Sequence, residues 1–136
     1  MTANELTSIQ PEGWKAAKGY SNGVLVPAGW RTLHVAGQIA WTADQELVVG
    51  GFLEQFEQAL ANVVAVVRAA GGESGHVCRM TVYVTDKQKY LACTRDLGDV
   101  WKRHMGRAYP AMALVEVADL LEEGALVEIE ATAAFP

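Results

Sequence analysis

Apolar and polar residues alternate with two different periods along this chain, and the switches between periods mark its elements. From Thr32 to Ile39, Leu33 and Val35 alternate with Thr32 and His34, the period-two signature of a strand. A weaker strand is expected from Ser21 to Val26, and across Pro27-Ala28-Gly29 the two are expected to form a hairpin. From Phe52 to Ala70 the period becomes helical. Leu53, Phe56, Leu60, Val63, Val64 and Val67 fall on one face, while Glu54, Glu57, Gln58 and Arg68 fall elsewhere. Gly71-Gly72 supplies the stop, because glycine accepts the left-handed conformation that ends many helices.

A strand is predicted next from Cys78 to Thr85, with Cys78, Met80, Val82 and Val84 on one side and Arg79, Thr81, Tyr83 and Thr85 on the other. Asp86 is the expected N-cap of a second helix, from about Gln88 to Met105. Its inner stripe is Tyr90, Leu91, Thr94, Leu97, Trp101 and Met105, and Gly106 ends it; Gly98 interrupts the pattern with a poor helix former. Two more strands, Ala111 to Val117 and Ala125 to Ala134, flank an acidic turn from Ala118 to Gly124. This order predicts one α+β domain over residues 1–136, with two helices covering one face of a sheet. Val35, Val82, Val115 and Ile129 are assigned to the covered face. His34, Tyr83, Met112, Leu114, Leu126, Glu128 and Glu130 are assigned to the opposite one. That second set is too apolar for free solvent and too charged for a monomer core, a mixture that suits self-association around small polar pockets.

Length and composition agree with a single packed domain: 136 residues, 51% of them hydrophobic. The net charge of −5, with acidic residues gathered between Glu116 and Glu130, argues against nucleic acid as a partner. No apolar run approaches the roughly 18 residues of a membrane span. Met1 to Gln10 has no signal-peptide pattern, so a cytoplasmic protein without membrane attachment is expected. Cys78 and Cys93 are too few for a disulfide framework and read as reduced structural thiols. His34, His76 and His104 are scattered, and no metal site is expected.

Six short segments then occur in a telling order: Lys18-Gly19-Tyr20-Ser21; Ala36-Gly37-Gln38; Gln55 and Gln58 with Asn62; Tyr83-Val84-Thr85-Asp86; Pro110-Ala111-Met112; and Glu128-Ile129-Glu130. Together they resemble the RidA/YjgF family over nearly the whole chain. The resemblance implies a chorismate-mutase-like α+β fold, a mixed sheet with two helices packed on one face. It also implies a homotrimer with a barrel-like core and a cleft at each subunit interface. In such clefts deaminating members hydrolyse small imine or enamine acids to ketoacid and ammonia, with neither metal nor organic cofactor. Some members carry ribonuclease labels, for which this acidic chain offers no support.

Carried over residue by residue, Tyr20, Gly37 and Glu128 match family positions. The resemblance makes Glu128 and Tyr20 the catalytic candidates, for water and proton handling and for substrate placement. It makes Gly37, Ala36 and Met112 candidates to line the substrate site. Met112 stands where the family has an arginine, and Ala36 where it has a serine. A guanidinium fork holds a carboxylate with two parallel hydrogen bonds, and its loss removes on the order of 1.5–3 kcal/mol. A non-standard substrate is therefore expected. A 2-aminomuconate-type dicarboxylate is one candidate, although it would call for more positive charge.

Arg107, Arg31 and Arg79 are candidate replacements for the lost cation. Trp41 is read as a cleft wall or a loop anchor, and His34 as an interface residue rather than a catalyst. Two alternatives stay open at this point. Glu128 is either a catalytic carboxylate or half of a solvated acidic pair with Glu130. The protein is either an imine deaminase or a non-catalytic homotrimer that binds a small metabolite.

Overall fold

The structure, a computed structural model, describes residues 4–136. Two short strands, β1 (Thr7–Ile9) and β2 (Gly23–Leu25), pair antiparallel in a small ribbon. The main sheet holds β3 (Arg31–Gln38), β4 (Val77–Val84), β5 (Ala111–Glu116) and β6 (Val127–Phe135) in the order β3-β6-β4-β5. β6 runs antiparallel to both β3 and β4, and β4 runs parallel to β5. Three strands thus point one way, with the last strand of the chain inserted between two of them. Parallel neighbours require a crossover. Helices α2 (Lys87–Leu91) and α3 (Thr94–Met105) provide it between β4 and β5, while α1 (Phe52–Ala69) links β3 to β4.

The expected hairpin does not form. β2 pairs with β1 instead, and β3 pairs with β6. The physical reason is burial: no residue of β2 is buried, whereas β3 must cover Val35 and does so beside Ala131 of β6.

α1 forms as its periodicity predicts. Phe52, Phe56, Ala59, Leu60, Val63, Val64 and Val67 are buried against the sheet and α3. The Gly51 N–H donates to Glu54 at 2.9 Å, satisfying one of the free donors at the helix start. At the other end the Gly72 N–H reaches the Val67 carbonyl and the Gly71 N–H reaches that of Arg68, both at 3.0 Å. This is a Schellman closure, and it requires the φ of +98° that Gly71 adopts. Polar side chains of α1 lash loops to the body. Gln55 is 4% exposed; it donates to the Gly124 carbonyl at 2.9 Å and accepts from the Leu126 N–H at 2.8 Å. Asn62 donates to the carbonyls of Ile39 and Trp41 at 3.1 and 2.9 Å, and is itself held by Gln58.

The predicted second helix is two helices. Asp86 caps the first as expected, accepting from the Gln88 N–H at 2.9 Å. The path then leaves helical geometry at Cys93, with φ −130° and ψ 27°, and its thiol turns back to the Lys89 carbonyl at 3.2 Å. Leu91, expected on the inner stripe, is consequently exposed, and the buried residues are Leu97, Val100, Trp101 and Met105.

β5 lies in the opposite phase to that expected. Met112 pairs with Met80 and Leu114 with Val82, both buried residues of β4, so they face the helices. Val115 pairs with Tyr83 and is exposed. Leu126 is likewise partly buried against the core rather than on the uncovered face. A one-residue phase error flips every side chain of a strand, and Ala111 to Val117 is apolar at both parities. The uncovered face is therefore more polar than expected, with His34, Thr132, Glu130, Thr81, Glu128 and Tyr83 in adjoining rows. Among the described residues no helix is long and apolar enough to cross a membrane.

Candidate functional site

The residues singled out in the sequence fall into two groups. The first is built on a β-bulge. Val35 of β3 pairs with Ala131 and Gln38 pairs with Ile129, so Ala36 and Gly37 together have a single residue of β6 to oppose. Bulges re-aim the chain and recur beside active sites. Here the bulge meets Glu128. A Cβ added at Gly37 would lie 2.9 Å from one Glu128 carboxylate oxygen, closer than real contacts allow. Only glycine lets this half-buried carboxylate rest against the backbone. The Ala36 carbonyl is occupied by the Gln38 side-chain amide at 2.9 Å. Glu130 is exposed and accepts the Tyr83 hydroxyl at 2.6 Å, a bond that raises the Tyr83 pKa. Glu128 and Glu130 are therefore not a matched pair: one rests on a bulge and the other holds a tyrosine.

The second group surrounds the start of β5. The Ser21 N–H donates to the Pro110 carbonyl at 3.0 Å, and its hydroxyl donates to that of Tyr109 at 2.5 Å while accepting from Ser8 at 2.8 Å. These bonds fix the Gly19-Tyr20-Ser21 turn beside β5 and leave the Tyr20 side chain exposed. Tyr20, Arg79 and Met112 line one shallow groove, and Tyr20, Arg107 and Tyr109 line another. On the other side of β5, Met112 and Leu114 wall a recess of about 230 Å³ against α3. Trp101 and Tyr109 close one side of that recess with stacked rings, their centroids 6.1 Å apart and their planes 8° from parallel. The Trp101 N–H is satisfied by the Ala108 carbonyl at 3.0 Å.

One chain does not bring the two groups together. Along β4, Met112 is level with Met80 and Glu128 with Tyr83, and the two side chains occupy opposite faces of the sheet. Arg31 is committed elsewhere: its guanidinium lies 5.0 Å over the Phe135 ring and donates to the Pro136 carbonyl. Arg79 and Arg107 both stand near Tyr20, but only Arg79 shares a groove with Met112. Trp41 is held by Asn62 and pairs across a bridge with Leu47, just beyond the bulge. Two recess residues escaped the sequence reading. Gly98 interrupts the helical pattern and Lys102 carries no motif, although Thr94-Gly98-Lys102 has the i, i+4, i+8 spacing of one helix face.

Both thiols are free, and burial pushes both pKa values up, which disfavours the nucleophilic thiolate. Among the described residues no cluster of His, Cys, Asp and Glu could hold a metal ion.

A mixed four-stranded sheet with helices on one face, a bulge glycine under a glutamate and a Tyr-Ser turn beside a Pro-Ala strand define a class, and comparison with known proteins identifies it. The sequence profile described as endoribonuclease L-PSP matches residues 11–135. The 2-iminobutanoate/2-iminopropanoate deaminase of Capra hircus is 37% identical over 115 residues, covering 84% of this chain and 78% of its own. The human protein of that name is 34% identical over the same shares. Among solved structures, the Rid-family protein YyfB of Yersinia pestis superposes with a TM-score of 0.84 at 35% identity, over 96% of this chain and 99% of its own. E. coli TdcF with bound serine gives 0.69 at 29% identity over the same shares. The chain belongs to the RidA/YjgF family.

Proposed function

We propose that this protein hydrolyses a small imine or enamine acid to the ketoacid and ammonia, at clefts formed by self-association. In that assembly the Glu128 group of one copy meets the Tyr20–Met112 group of the next, the two that a single chain keeps apart. The observation that carries the reading is the Glu128 carboxylate resting on the Ala36–Gly37 bulge of an uncovered sheet face. The deaminase names of the relatives support the reaction class.

The chemistry needs little machinery. Protonation of the imine nitrogen makes its carbon electrophilic. Water adds to that carbon, and Glu128 takes the proton that the water sheds. The proton passes to nitrogen, the C–N bond breaks and ammonia leaves, while the hydroxyl gives its proton to the freed Glu128 carboxylate and the carbon retains the oxygen as a carbonyl. No electron is gained or lost. Tyr20 orients the substrate, the bulge fixes the carboxylate, and proximity supplies most of the effect. With methionine in place of the arginine, the substrate is not held by a guanidinium fork at position 112, so its preference differs from that of members that have one.

Ammonia release from freshly generated 2-imino acids tests this. We expect turnover by the unmodified protein and a loss of at least about 100-fold in Glu128→Gln, the usual span for a general acid or base. Equal rates in the two proteins overturn the assignment. A second reading, a homotrimer that binds a metabolite without turning it over, is favoured by the apolar residue at 112. Saturable ketoacid binding without turnover of any imine would establish it.

A further inference from the structure

Beside Met112 the structure has a cavity that the reaction does not require. It lies between α3 and β5 and measures about 230 Å³, larger than the roughly 150 Å³ in which apolar walls take up a benzene ring. Its walls are Phe56, Tyr90, Leu97, Trp101, Met112 and Leu114. Lys102, an exposed residue at the rim, is the single charged residue of the lining, and among the described residues it makes no ion pair.

Gly98, an exposed residue of α3, borders the cavity. Thr94, Gly98 and Lys102 form one line along α3 facing the space, with glycine at its centre. Nothing in the backbone asks for glycine there. The position is inside a helix, its φ is not positive, and an added Cβ would meet no atom within 4 Å. Glycine inside a helix is less stable than alanine would be. A larger side chain at this position would project into the open space that Gly98 lines.

We infer that this cavity receives the side chain of the substrate, and that the side chain is an uncharged, ring-sized apolar group, with Gly98 as the residue that sets this specificity. The inference rests on the deaminase reading for the reaction but not for the binding. A 2-imino acid with an aromatic side chain places its ring among Trp101, Phe56 and Met112, and its carboxylate faces the one cation at the rim. A dicarboxylate is rejected, because its second carboxylate would enter an apolar space without a partner.

Calorimetric titration with phenylpyruvate and pyruvate, the product ketoacids, separates cavity binding from catalysis. Phenylpyruvate is expected to bind at least about tenfold more tightly than pyruvate, the discrimination that apolar pockets deliver. Gly98→Leu, which fills the space, is expected to abolish that preference. Gly98→Ala is expected to raise the melting temperature and to narrow the preference, which keeps the test decisive should the leucine variant not fold. Equal affinities in the unmodified protein, or a preference that both variants retain, overturn the inference. Phenylpyruvate selectivity with no turnover of any imine sustains the cavity assignment and sinks only the deaminase reading.

Discussion

Gly37 and Glu128 face one another across the β3–β6 bulge so closely that a Cβ at Gly37 would come 2.8 Å from the carboxyl carbon of Glu128. The obstructing atoms belong to the end of a flexible side chain, so Gly37→Ala moves the carboxylate rather than the backbone. The expected outcome is a loss of activity close to that of Glu128→Ala, with thermal stability changed by less than about 1 kcal/mol. A double-mutant cycle checks the mechanism: in the Glu128→Ala background, adding Gly37→Ala should cost nothing further.

Gln55 is a buried polar residue that holds the turn before β6 through both of its amide atoms. Gln55→Leu leaves the Gly124 carbonyl and the Leu126 N–H without their partner. We expect a loss of about 2–6 kcal/mol in urea-induced unfolding, at about 1–3 kcal/mol for each of the two groups left unpaired. A loss below about 0.5 kcal/mol would mean that solvent reaches that turn.

Glu57 joins α1 to α3, accepting from Arg103 and meeting His104 Nε2 at 2.9 Å. The His104 hydrogen bond first, and then Arg103, hold its carboxyl below its ordinary value of 4.5. The folded protein therefore binds this proton less readily than the unfolded chain does. The resulting stability is fully present above pH 4.5 and is lost as the pH falls from there through the native value. Because the pair is solvent-facing, the contribution is at most about 1 kcal/mol. Unfolding curves of Glu57→Gln and the unmodified protein should differ at pH 7 and converge at the acid end.

Met112→Arg supplies the guanidinium fork that the family resemblance implies at this position, on a wall that holds no acidic residue. Turnover of small imino acids such as 2-iminopropanoate should rise by about tenfold or more, in line with a charge-assisted pair of about 1.5–3 kcal/mol. Stability should fall, because the new charge borders apolar side chains. Unchanged rates on small substrates would separate position 112 from carboxylate binding.

The local rules of the chain were legible. The α1 stripe, its glycine stop, the Asp86 cap and the alternation of β4 each depend on residues a few positions apart, and each appears where its pattern lies. Most of the failures involve distant partners. Nothing local says that β2 prefers β1, because the competing strand, β6, lies about a hundred residues away. The phase of β5 is ambiguous because Met112 and Leu114 on one parity are no more apolar than Ala111, Ala113 and Val115 on the other, and only pairing with β4 decides. The helix break at Cys93 depends on a backbone angle that a free thiol does not announce. Of the candidate site residues, Gly37, Glu128 and Tyr20 lie in family-like motifs and are legible as candidates. Gly98 and Lys102 carried none, and their meaning depends on a strand that forms after them.

The strand that completes the sheet is also the one translated after all its partners. Until Val127–Phe135 leave the ribosome, β3 and β4 each present an unpaired backbone edge, and α1 covers a sheet with its centre missing. The Glu128 carboxylate and its cradle at Gly37 come into register only in that last step. The same strand thus completes both the sheet and the Glu128–Gly37 contact. A chain lacking β6 has exposed edges that invite aggregation.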